Sequence, residues 1–162
     1  MRLAASISAA VLAFASAAAA QAPAVSVAIG PKLQAKAELY GQRELDFLAQ
    51  DLRASVESRI ARSNAFAPGG QLELVIVDAR PNRPTYHQLG KRPDLTMLSF
   101  GNGGASVEGV YVAPDGSRIP VSYKWYGSNI AWAQSNTTWT DALETFDRMG
   151  ERLAKSGAYA VR

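Results

Sequence analysis

The 162-residue sequence contains no cysteine and a single histidine, His87. Without cysteine there is no disulfide, no thiol nucleophile, no lipid attachment point and no Cys-based zinc site. A lone histidine supplies no pair of imidazoles for a metal, and no closely spaced carboxylate set such as an EF-hand loop replaces them. Neither metal nor cofactor is expected. Charge is also sparse: 19% of the residues are charged, and Lys+Arg exceed Asp+Glu by 17 to 14. A nucleic-acid binder concentrates far more positive charge on one face, so that partner is not expected. Internal repeats and low-complexity linkers are missing, and after residue 20 no apolar run is long enough to span a bilayer.

What is present begins with a leader. Arg2 supplies a positive charge, Leu3 to Phe14 is apolar, and Ala18-Ala19-Ala20 offers small residues before Gln21. This is the pattern of a secretory signal peptide over residues 1–20, cleaved after Ala20. The run is rich in Ala and Ser and has no positive flank behind it, which favours cleavage over anchoring. Cleavage removes one Arg and leaves 16 basic against 14 acidic residues, a net charge of +2. The remainder fits a short lead-in at 21–24 and a single domain over 25–162. An exported domain without disulfides relies on its core alone, so a periplasmic or secreted location is expected.

Val25, Val27 and Ile29 alternate with small residues before Gly30-Pro31, which predicts a strand. Leu33, Ala35, Ala37 and Leu39 continue an alternation that fits a second short strand or an extended arm. From Gln42 to Arg62 the period changes: Leu45, Leu48, Leu52, Val56 and Ile60 recur at helical steps, ended by the Pro- and Gly-containing stretch Asn64 to Gly70. Leu72 to Val77 is a continuous apolar run and reads as a central strand covered on both faces. Val107–Val112 and Ile119–Trp125 flank Pro114-Asp115-Gly116-Ser117, a hairpin turn, with Ile119, Val121, Tyr123 and Trp125 on its core face. Thr138 and Asp141 open a closing helix, Thr140 to Lys155, with Trp139, Leu143, Phe146, Met149 and Leu153 on one side, stopped by Gly157. These elements predict an α+β fold: a mostly antiparallel sheet of four to five strands with two amphipathic helices packed against it.

Between the central strand and the hairpin lies Asp78 to Asp94, where three prolines argue against a regular helix or an inner strand. Arg80, Arg83, Lys91 and Arg92 make this loop basic, with Tyr86 and His87 between them. Held stiff by its prolines, such a loop loses little entropy on binding and would suit an anionic ligand, a lipid headgroup or an envelope protein. Alternatively, Arg80 and Arg83 pair with Asp78, Asp94 or free carbonyls while the prolines brace a long crossover. The glycines of Ser99 to Ser106 run into a strand rather than a helix, which suits a bulge better than a phosphate cradle. Tyr126, Trp132 and Trp139, near Tyr123 and Trp125, offer rings that either stack a ligand or cover the sheet.

The order signal, strand, helix, strand, "DARPNRPT" loop, "SFGNGGASVEG" turn, "DGSRIPVSYKWYG" hairpin and closing helix resembles small exported proteobacterial proteins grouped as domains of unknown function. It covers Val25 to Leu153 and implies no mechanism. The α+β arrangement is also similar to periplasmic accessory domains of envelope transport and assembly systems, in architecture only. The functional expectation is a non-enzymatic periplasmic binding or accessory protein, without a catalytic residue. Its contact surface would comprise Arg80, Arg83, Tyr86, His87, Lys91 and Arg92, with Tyr126 and Trp132. The alternative is a small hydrolase built on His87, Asp78 and Ser99, although no nucleophile-elbow spacing surrounds the serine.

Overall fold

A computed structural model of the protein describes residues 22–160, so the expected signal peptide and cleavage point lie outside the described residues. Gly30-Pro31 ends β1 (Ala24–Ile29) as its alternation suggests, but the following stretch is helical: α1 (Pro31–Gln34) and α2 (Ala37–Tyr40) replace the anticipated strand or arm. Pro31 at the start of α1 presets a helical φ. Leu33, Ala37 and Tyr40 are three and four residues apart and turn inward, with Leu33 and Tyr40 buried. Alanines at alternate positions satisfied both periodicities, and only this helical spacing buries the larger side chains.

Helix α3 (Gln42–Ile60) carries the chain back to β2 (Gln71–Arg80), which pairs parallel with β1. A meander of β3 (Gly104–Val112) and β4 (Arg118–Tyr126) completes a four-stranded mixed sheet in the order β1-β2-β3-β4. The fold is α+β. Helix α6 (Thr140–Ser156) lies over β3 and β4, α3 lies over β1, and the two helices pack along each other on the same face. Arg59 of α3 bridges to Glu151 of α6 at 2.7 Å, and Ser55 donates to Asp147 at 2.6 Å. Short helices α4 (Tyr86–Lys91) and α5 (Ile130–Ala133) interrupt the two long connections.

The core is formed by one row from each strand and one stripe from each long helix. Leu45, Leu48, Leu52, Val56 and Ile60 of α3, with Phe146, Met149 and Leu153 of α6, are sealed against Leu72, Leu74, Ile76 and Val107. Each buries enough apolar surface to contribute roughly 1.5–3 kcal/mol. The other side of the sheet is open to solvent, which corrects the expectation for β2. It is central in order, between β1 and β3, but its exposure alternates, with Glu73 exposed and Val75 and Val77 half-buried. Both long helices cover one face, leaving no element of that size among the described residues for the other.

Candidate binding face

Two regions gather the polar and aromatic side chains singled out in the sequence. The first is on the open face of the sheet, and a β-bulge creates it. The pairing of β2 with β3 shifts register between Ile76 and Asp78. Strict alternation from Leu72, Leu74 and Ile76 would put Asp78 into the core. The extra residue buries Ala79 instead and turns Asp78 outward. There the Asp78 carboxylate accepts from Lys36 Nζ at 2.6 Å and from the Tyr126 hydroxyl at 2.8 Å. Arg80 lies 5.1 Å from the Tyr126 ring centroid. The strand between them contributes Gly104, where a Cβ would meet Trp125 O at 2.3 Å and Tyr126 Cδ1 at 2.6 Å, so only glycine lets the tyrosine fold over the sheet.

Burial pushes the Asp78 carboxyl up, but hydrogen bonds from Lys36 and Tyr126, with the charges of Lys36 and Arg80, outweigh it and leave the pKa below the usual value. Burial and the bond to Asp78 hold the Tyr126 phenol well above its ordinary range. The tyrosine is therefore a neutral donor. A cleft of about 530 Å³ opens beside this cluster, between Lys32, Glu108 and Lys124. Both carboxylate oxygens of Asp78 are already engaged, so the cluster fastens the α1–α2 turn to the sheet.

The second region consists of the connections 81–103 and 127–139, held together at two points. Asn82, 1% exposed, donates to Asp141 Oδ2 at 2.7 Å and accepts from the Asp141 backbone N–H at 2.9 Å. Gly103 N–H and Asn136 Nδ2 complete the shell of that buried carboxylate at 2.9 and 2.8 Å. A charge this deep is tolerable because each oxygen accepts a hydrogen bond. Asp141 also lies in the first turn of α6, where the helix dipole favours an anion. The second point is Arg83, whose guanidinium donates to the carbonyls of Asn136 at 2.6 Å, Met97 at 3.0 Å and Gln134. Arg83 thus ties the two connections to each other.

A helix also stands where the prolines argued against one. They flank α4 rather than enter it, leaving Thr85 to Arg92 free of proline. Thr85 caps the helix and Gln88 returns the bond to the Thr85 N–H, a reciprocal capping box. This docks α4 on the end of α2: Lys91 donates to the Glu38 carbonyl at 2.8 Å, and His87 Nε2 lies 3.0 Å from the same oxygen. Against a carbonyl, that nitrogen must carry the proton. Arg92 forms a two-pronged pair with Asp94 at 2.7 and 2.9 Å.

The eight candidate side chains therefore form several groups. Arg80 joins Tyr126; His87 joins Lys91; Arg83 is spent inside the molecule on carbonyls; Arg92 pairs with Asp94. Tyr86 and Trp132 remain 80% and 77% exposed. Of the other rings, Trp139 is buried and donates to Glu44 at 2.6 Å, while Trp125 and Tyr123 lie beneath Arg148 and Arg152. They cover the sheet. The hydrolase trio is not joined by any hydrogen bond among the described residues: Asp78 holds Lys36 and Tyr126, His87 faces Glu38, and Ser99 Oγ accepts from the Thr96 N–H at 3.0 Å.

Sequence reasoning passed over Met97, Leu98, Phe100 and Ile130, which are 56%, 81%, 42% and 58% exposed. The available signal was the clustered apolar stretch Leu95 to Phe100 outside any strand or helix pattern. No protein-family model matches the chain, and no curated protein is significantly similar to it.

Proposed function

We propose that this chain is a non-enzymatic binding or accessory protein of the periplasm, and that its contact surface is formed by the connections 81–103 and 127–139. One observation carries the reading: seven large apolar side chains are exposed among the described residues, and all but Phe47 lie at 86–100 or 130–132. Concentrated exposed apolar surface marks interaction sites more often than scattered single residues do. Rigid presentation adds to this, because the Arg83 staple and the α4 capping box order both segments before any contact is made. Tyr86, Lys91, Arg92, Leu98 and Trp132 are the side chains offered to a partner. The basic proline-rich loop keeps its role as a contact surface, with Arg83 acting as its brace.

The test is crosslinking capture from an envelope fraction with the chain from Gln21 onward, beside Leu98→Ser/Trp132→Ser. Both side chains are largely exposed, so the variant should retain its circular dichroism and melting temperature. The expected outcome is adducts, protein or lipid, formed by the unchanged protein and lost in the variant. Identical adducts from both proteins, or none from either, would overturn the reading.

A further inference from the structure

We infer that the surface formed by residues 86–100 and 130–132 docks on an anionic lipid membrane, an inference that rests on the reading of this face as the contact surface. Charge is the first argument. Residues 81–103 hold three basic side chains, Arg83, Lys91 and Arg92, against Asp94 alone, while the rest of the chain holds fourteen basic and thirteen acidic side chains. Residues 127–139 carry no charge at all. Two of the three net positive charges thus fall in one connection, the one that also holds the exposed Tyr86, Met97, Leu98 and Phe100. Glu38 and Glu144 stand at its margins, beside Lys91 and in the cleft next to Trp132.

Shape is the second argument. A cleft of about 620 Å³ borders this side at Tyr86 and His87, its other walls being Ala37 and the stretch from Tyr40 to Glu44, but the clefts at the other exposed groups measure only about 170 Å³, at Pro84 and Phe100, and about 220 Å³, at Trp132. These last two fall short of the roughly 300 Å³ at which small-molecule pockets begin. Leu98 and Trp132, 81% and 77% exposed, instead stand out from their loops. Arg83 bonds to the carbonyls of Met97 and Gln134, so the two projecting segments are fixed close together. Projecting Trp, Leu, Ile and Met with Lys and Arg beside them is the composition of a surface that enters the headgroup layer. The rings and aliphatic groups reach the acyl boundary while the cations meet lipid phosphates.

Vesicle flotation tests this with the chain from Gln21 onward, which contains the whole described core. Phosphatidylglycerol vesicles should carry the protein, phosphatidylcholine vesicles should not, and added salt should weaken the association. Trp132 emission should shift to the blue on binding, with Trp132→Phe as the blank. Leu98→Ser/Trp132→Ser should lower partitioning about tenfold or more. Lys91→Gln and Arg92→Gln should each lower it roughly fivefold. Equal association with both vesicle types, or association untouched by Leu98→Ser/Trp132→Ser, overturns the inference. Failure to bind vesicles, together with loop-dependent capture of a protein, overturns the membrane and leaves the contact surface standing. Failure of both assays removes both.

Discussion

At the scale of single residues, Asp78 owes its surroundings to one extra position in β2. The bulge after Ile76 takes a carboxylate that alternation would have buried and sets it between Lys36 and Tyr126. Because its folded pKa lies below the unfolded value near 3.9, the contact stabilises the fold above that value. The contribution is lost as pH falls through the folded pKa. The urea midpoint should therefore drop between about pH 5 and pH 3, and the drop should be smaller in Asp78→Asn, whose amide has no charge to lose. Partial exposure of both partners screens the pair, so the difference should be modest. Equal drops in the two proteins would contradict this role for Asp78. The same engagement argues against Asp78 orienting a catalytic histidine, since His87 is held at Glu38 instead.

At the scale of elements, the molecule consists of a well-covered sheet and two connections that need fastening. Asn82→Ala removes the side chain that both donates to Asp141 and accepts from its backbone, leaving buried groups without partners. The expected cost is about 1–3 kcal/mol in urea unfolding, against under about 0.5 kcal/mol for the exposed substitution Ser122→Ala. A loss no greater than that of the surface control would mean that solvent replaces the clip. Long-period elements were legible in the sequence: the stripes from Leu45 to Ile60 and from Trp139 to Leu153, and the Pro-Asp-Gly-Ser hairpin, fold as their spacing suggests. Short elements were not. Leu33 to Tyr40 alternates and also fits a helix, and the Thr85–Gln88 box was hidden among prolines that bound α4 without entering it. The bulge left no distinct mark, because Val77-Asp78-Ala79 reads equally well as the end of an apolar strand. The Asn82–Asp141 pair joins positions 59 residues apart, a separation at which no local periodicity operates.

At the scale of the whole molecule, the sheet divides the surface into three regions of different character. One face is sealed by α3 and α6; the open face carries mainly polar side chains, with the ion pairs Lys36–Asp78 and Glu73–Arg118; the loop end carries six of the seven large apolar residues exposed among the described residues and most of the net positive charge. A protein selected only for stability has little reason to brace Leu98 and Trp132 in solvent with an arginine that spends its donors on two loops. The contact-surface reading gives that arrangement a use. It also says where contacts should be absent: Ser122, in the middle of β4 on the open face, should touch nothing. The most direct measurement is site-specific photocrosslinking in the producing cell, with the reactive side chain placed in turn at positions 98, 132 and 122. Adducts, protein or lipid, are expected at 98 and 132 and none at 122. Adducts at 122 with none at 98 and 132 would contradict the contact-surface reading.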